Sequence, residues 1–371
     1  MRPVHVCEVI KSLARVGGAE VLLTRRLCAA PPGRRYTVVC LEATPTLFLE
    51  RLRRHGVAVV DLTSCPRPLR MARLAAVVRR LRPDVLNVHS PLPASVLRPA
   101  SLLWRHRPML VSTVHSVRFR LPTLLLDRAT GWLDHHTVAV SPEVARSVTT
   151  LGARRLSTRV HGVDVAEQRR WAAEAALIRK EWDVPEDAFL IVHAGNFRAV
   201  KNHGFLIEAA AELAASGETR ATFLLAGSGP LFAETARRVA DLRLPRVRLL
   251  GHVPDAARLI AAADLLVLCS TYEGLPVVVM EALAAGVPVV STRVGGIPDL
   301  VESGRNGLLV PPGDPKAFAE AILRAMRPDV HARLREGARE SAGTLDIGET
   351  AKWFDRLYDE APRRSQVKPA G

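Results

Sequence analysis

Long apolar runs, aromatic residues and paired cysteines are all scarce in this 371-residue chain. No run of 18 apolar residues lacks a charge, so nothing in the sequence is built to span a bilayer as a helix. The segment Val4–Lys11 is too polar and too short for a signal-peptide core. Five cysteines (Cys7, Cys28, Cys40, Cys65, Cys269) are odd in number, widely spaced and never arranged C-x-x-C. That pattern excludes a disulfide framework and points to buried thiols in a reducing cytoplasm. Aromatic residues are only 5% of the chain and no nucleic-acid-binding motif occurs, so nucleic acid is not an expected partner. Asp-x-Asp is absent throughout, and with it a common carboxylate pair for a divalent metal.

Acidic residues are also scarce, but only in the first half. Residues 1–180 carry 30 Lys and Arg against 12 Asp and Glu, whereas residues 181–371 carry 22 against 25. A basic half of this kind fits an anionic membrane face or a phosphorylated substrate. Phe119–Leu126, with Trp104 and Trp132 nearby and Arg105, Arg107, Arg118, Arg120 and Arg128 around them, adds apolar bulk to that charge. The combination leaves peripheral contact with an anionic membrane open, on the inner face of a cytoplasmic location.

What the chain has is length for about two domains and alternating strand and helix patterns. Strands are expected at Val4–Ile10, Tyr36–Leu41, Val57–Leu62, Val85–His89, Met109–His115 and Thr137–Val140, with helices such as Glu20–Ala29 and Arg70–Arg82 between them. In the latter, Leu74, Val77, Val78 and Leu81 share one stripe. A second series begins at Ala188–His193. This alternation predicts an α/β chain of two Rossmann-like, doubly wound parallel sheets.

The densest signal is the stretch from Cys269 to Ser291. Leu265–Cys269 reads as a buried strand, Tyr272–Gly274 as a turn, and Pro276 as the first turn of a helix that stops at Gly286. Glu273 then stands just past the carboxyl end of a strand, where open α/β sheets bind ligands, and Glu281 lies in the second turn of the following helix. Other loops repeat the arrangement. Gly17-Gly18 leads from a strand into a helix, whose N-terminus favours an anion. Gly195 is followed by Asn196, Arg198 and Lys201. Gly227 and Gly229 allow close approach of a base or phosphate. His115 ends a strand, with His89 ending the one before it.

The two glutamates, with Gly274-Leu275-Pro276 after the first and the Ala-Leu-Ala-Ala-Gly-Val-Pro-Val-Val run after the second, resemble the retaining glycosyltransferases of family 4, of GT-B fold. The resemblance covers essentially the whole chain and is strongest over residues 190–315. It implies two domains facing each other across a cleft: an acceptor domain over 1–160, a linker over 161–187 and a nucleotide-sugar domain over 188–345. A helix over 346–361 returns to the first domain, and the tail 362–371 is expected to be disordered. It implies that Glu273 positions the donor sugar, Glu281 holds the ribose, and the backbone at Gly274, Leu275 and Pro276 faces sugar and phosphate. It also implies that Gly17 and Gly18 lie against the diphosphate and His115 against the sugar, and that the base packs near Val253. Lys201 matches the family's cationic clamp. The clamp's Arg position holds Asn196, and Arg198, two residues on, is the substitute because i and i+2 point to one side of an extended segment. His161 stands where the family carries Asn.

The expected activity is therefore retaining transfer from a nucleoside diphosphate sugar, UDP-sugar favoured, with no metal or other cofactor. The acceptor is either a lipid-linked glycan precursor or a small-molecule aglycone. A nucleotide-sugar epimerase on the same fold and a catalytically silent binding module are the alternatives.

Overall fold

The computed structural model describes residues 3–13, 18–44, 47–117 and 119–361. Gly17, Arg118 and the tail from Pro362 lie outside the described residues. The chain divides into two compact units: one runs to His161 and resumes at Ile347, the other is Gly162–Asp346.

The first unit is built on β1 (Val4–Ser12), β2 (Arg34–Glu42), β3 (Ala58–Asp61), β4 (Val85–Val88), β5 (Met109–Val114), β6 (His136–Ala139) and β7 (Leu156–Thr158). All pair in parallel in the order β3-β2-β1-β4-β5-β6-β7. A parallel sheet needs helices on both faces, and its strands are accordingly almost continuously apolar. The helix Arg70–Leu81 buries Leu74 and Val78 fully and Val77 and Leu81 in part, as its spacing predicts. The final helix, Ile347–Tyr358, packs Phe354, Leu357 and Tyr358 against Val6, Ile10 and Leu23 in this unit's core.

Two features differ from expectation here. Pro91–Leu102 is a helix where the pattern carries no helical reading, because three prolines obscure its period. Pro91 fits its first position, and Pro99 is accommodated inside. Trp104 is buried with Leu74 and Leu97, so it belongs to the core and not to a surface belt.

The second unit carries β8 (Phe189–Ala194), β9 (Ala221–Ala226), β10 (Val247–Gly251), β11 (Leu265–Leu268), β12 (Val289–Thr292) and β13 (Gly307–Val310). They too are parallel, in the order β10-β9-β8-β11-β12-β13. Residues 165–187, read from sequence as a helical linker, include the helices Val165–Ala173 and Ala175–Glu181. Trp171 and Ile178 are buried, and both helices pack on Ala256–Ala261 of this unit. Among the described residues no helix is long and apolar enough to cross a membrane.

Candidate functional site

Because every strand of the second sheet is parallel, the loops after β8, β9, β10, β11 and β12 all leave from one edge. In this order the chain reverses its direction of winding between β8 and β11, and such a switch point opens a crevice at the carboxyl ends of the two strands. Lys201 follows β8 and Glu273 follows β11, so the two flank it. The structure brings them together: Lys201 Nζ donates to Glu273 Oε1 at 2.5 Å. Ser270, just past β11 and unremarked in the sequence reading, donates its hydroxyl to the same oxygen at 2.6 Å. Backbone bonds fix both loops, with Thr271 N–H donating to Val200 O and Gly296 N–H to Glu273 O. Glu273 is buried with its lysine half-buried beside it, a partly desolvated ion pair at the ligand edge.

An ammonium has three donors and a carboxylate several acceptor positions, so this pair consumes only part of either group's capacity. Lys201 can still bind phosphate oxygens, and Glu273 can still accept from hydroxyls. Asn196 and Arg198 are both exposed while Phe197 between them is fully buried, which sends 196 and 198 to the same side of the loop. Glu281 is buried in the second turn of the helix Val277–Ala284, and Pro276 immediately precedes that helix. Gly274, Leu275 and Val253 are half-buried in the loops of this edge.

Gly227 and Gly229 serve the chain's own packing. Both have positive φ, at 147° and 155°. A Cβ on Gly227 would lie 2.0 Å from Gly195 O, and one on Gly229 2.5 Å from Phe197 O. What approaches these glycines is thus the backbone of the loop that carries Lys201. Gly227→Ala should destabilise the chain well beyond the about 1–3 kcal/mol of a positive-φ residue alone. Gly313→Ala, at φ 97° with nothing within 4 Å, isolates that strain. Urea midpoints of the two variants provide the comparison, and equal losses would show that the loop gives way.

His193, inside the end of β8, donates from Nδ1 to Val267 O at 2.9 Å. Burial lowers its pKa to about 4, so the ring is neutral beside Gly195 and Lys201.

In the first unit Gly18 opens the helix Gly18–Cys28. His115, just past β5, belongs to a buried polar chain that starts in β1. Glu8 has no exposure at the centre of that strand; its carboxylate lies 2.7 Å from Arg26 and 2.7 Å from His89 Nε2, and accepts from Tyr358 O–H at 3.0 Å. Burial alone would raise the Glu8 pKa, but Arg26 and His89 outweigh it and hold the group at about 2. Burial lowers the pKa of His89 and, more strongly, of His115, so both rings are neutral.

The network then assigns the tautomers. His89 Nε2–H donates to the ionised Glu8, leaving Nδ1 to accept from His115 Nε2–H at 2.9 Å. His115 is left with its lone pair on Nδ1. His161 is buried with its ring edge-on to His115 and to Phe354, at centroid distances of 5.8 and 5.6 Å. It thus packs between His115 and the last helix. The sequence reading missed Glu8 and Arg26, although a lone carboxylate between Cys7 and Val9 in a buried strand is a usable signal.

Among the described residues no three His, Cys, Asp or Glu side chains are grouped to hold a metal ion.

Both halves of the chain match known protein families. Residues 4–167 match the family profile described as Glycosyltransferase Family 4, and residues 188–327 match that of Glycosyl transferases group 1. The chain is 30% identical over 279 residues to N-acetyl-alpha-D-glucosaminyl L-malate synthase of Bacillus anthracis, a match covering 73% of this chain and 72% of that one. It is 35% identical over 215 residues to a D-inositol 3-phosphate glycosyltransferase of Saccharomonospora viridis, spanning about half of each (54% and 49%). Anabaena HepE, solved with UDP and glucose, superposes with a TM-score of 0.83 at 22% identity, covering 96% of this chain and 99% of that one.

Proposed function

Because the chain belongs to the GT-B-fold glycosyltransferases of family 4, we propose that it transfers a sugar from a UDP-sugar to an acceptor hydroxyl with retained anomeric configuration and without a metal ion. The observation that carries this reading is the Lys201–Glu273 pair at the switch point of the second sheet. As the bond between the sugar's anomeric carbon and the diphosphate oxygen breaks, its electrons stay on that oxygen; the acceptor hydroxyl oxygen bonds to the same carbon, and its proton passes to the departing diphosphate. Lys201 and Arg198 stabilise that growing charge through charge-assisted hydrogen bonds, the task a divalent cation performs elsewhere. Glu273 fixes the sugar hydroxyls and Glu281 the ribose. His115 meets the sugar with a neutral ring, its Nε2 proton already engaged by His89. Uridine is favoured because HepE was solved with UDP. The basic first half favours an anionic acceptor, a lipid-linked glycan precursor before a small-molecule aglycone.

The test is nucleotide release from a panel of UDP-, GDP-, ADP- and dTDP-sugars in chelator. Selective release from a UDP-sugar, unchanged when Mg²⁺ is added, is the expected result. Activity that chelator abolishes and Mg²⁺ restores would overturn the metal-independent reading. Binding of a UDP-sugar with no turnover towards any acceptor would favour a silent binding module.

A further inference from the structure

The helix Leu121–Gly131 wears its polarity outward in reverse. Leu121, Leu125, Arg128 and Trp132 follow one another at helical spacing along its exposed side. The three apolar members are 67%, 58% and 56% exposed. A surface helix ordinarily turns such residues to the core. Here the inward side includes Asp127, buried with its carboxylate 2.7 Å from Arg98. The neighbouring helix Pro91–Leu102 packs against this one and ends at Leu103, which is 86% exposed.

The exposed charges described for this span have one sign. Arg105, Arg107, Arg120 and Arg128 are all exposed. Between Val85 and Pro142 the chain has two carboxylates, Asp127 and Asp134, and both are buried against Arg98. The surface therefore combines exposed leucine and tryptophan with arginines and offers no exposed carboxylate from this span.

We propose that this face of the first unit docks on an anionic lipid surface, with Leu121, Leu125 and Trp132 in the interfacial zone and the arginines on the headgroups. Binding of this type scales with buried apolar area plus attraction to anionic lipid. A second copy of the chain is the weaker occupant, because a two-fold contact sets the same patch against itself and would bring the four arginines of each copy together.

The inference does not depend on sugar transfer and is tested without it. The full chain is sedimented with vesicles of phosphatidylcholine alone or with about a third phosphatidylglycerol. It should partition onto the anionic vesicles and lose that binding as salt rises. Leu121→Ser with Leu125→Ser should weaken partitioning at least about tenfold, and Arg120→Glu with Arg128→Glu by a similar factor. All four positions are exposed, so the variants should keep the thermal stability of the wild type. Wild-type protein that ignores both vesicle types would overturn the proposal, as would binding that neither pair of substitutions weakens. A dimer in light scattering that Leu125→Ser dissolves, with no vesicle binding, would give the face to a second copy and also overturn it.

Discussion

Lys201→Ala should lower kcat by about 10²- to 10³-fold while leaving the fold intact, the loss expected when one preorganised donor to a developing oxyanion is removed. The lysine is the cation held at the switch point by Glu273 and by the backbone of two adjacent loops. In the proposed mechanism its charge matters most when the diphosphate leaves, so the loss should fall on kcat more than on KM. The cost in stability should be modest, because the lysine side chain is 22% exposed and Glu273 keeps the Ser270 hydroxyl as a donor. Glu273→Ala removes the carboxylate that holds the lysine and, in the proposed mechanism, the sugar, and should lose a comparable factor. If the two act as one unit, the double variant should be little worse than either single variant. Steady-state kinetics with saturating acceptor decide it. A Lys201→Ala enzyme within a few-fold of wild type would remove the clamp from the mechanism.

The parts of this site that were legible in the sequence are those fixed by local chemistry. The strand–turn–helix around Glu273 follows from an apolar run, a Gly-Leu-Pro turn and a stop at Gly286, all read over neighbouring residues. Lys201 was marked only by the family resemblance, since a lysine in a loop after a strand carries no signal of its own. The contact between them was not legible, because it depends on β8 and β11 being adjacent, which is a matter of strand order. Gly227 and Gly229 illustrate the same limit. Their need for small size was readable, but the group that approaches them, the backbone of residues 195–197, lies on another strand's loop. The proline-bearing helix Pro91–Leu102 was hidden because its sequence breaks the usual helical pattern, and its neighbours supply the stability that propensity does not. Trp104 looked interfacial beside so many arginines, yet the hydrophobic contacts that bury it come from residues 74 and 97.

Glu8→Gln should cost the first unit about 3 kcal/mol or more at neutral pH, although it changes neither volume nor hydrogen-bonding shape greatly. Glu8 and Arg26 are both fully buried, and removing one partner of a buried pair leaves the other charge uncompensated, at about 3–5 kcal/mol. Arg26 keeps the Tyr358 hydroxyl at 3.3 Å and the face of Phe354 at 4.1 Å but loses the carboxylate's charge. The pH dependence separates this charge effect from loss of packing. Glu8 has a folded pKa below its ordinary value of 4.5, near 2, so its contribution is fully present above pH 4.5 and is lost as pH falls towards 2. The stability gap between wild type and Glu8→Gln should therefore be constant from neutral pH down to about 4.5 and narrow below it. His89, His115 and His161 add a separate term common to both proteins. Their folded pKa values are lowered, so stability falls as pH drops below their ordinary 6.5, because the unfolded chain takes up protons that the buried rings refuse. That term sets the slope of each curve but cancels in the difference wherever the rings stay neutral in both. Urea unfolding of the two proteins at pH 7, 5 and 4 measures the gap directly. A gap that does not narrow between pH 5 and 4 would mean that Glu8 acts through packing, and that Arg26 does not need its charge.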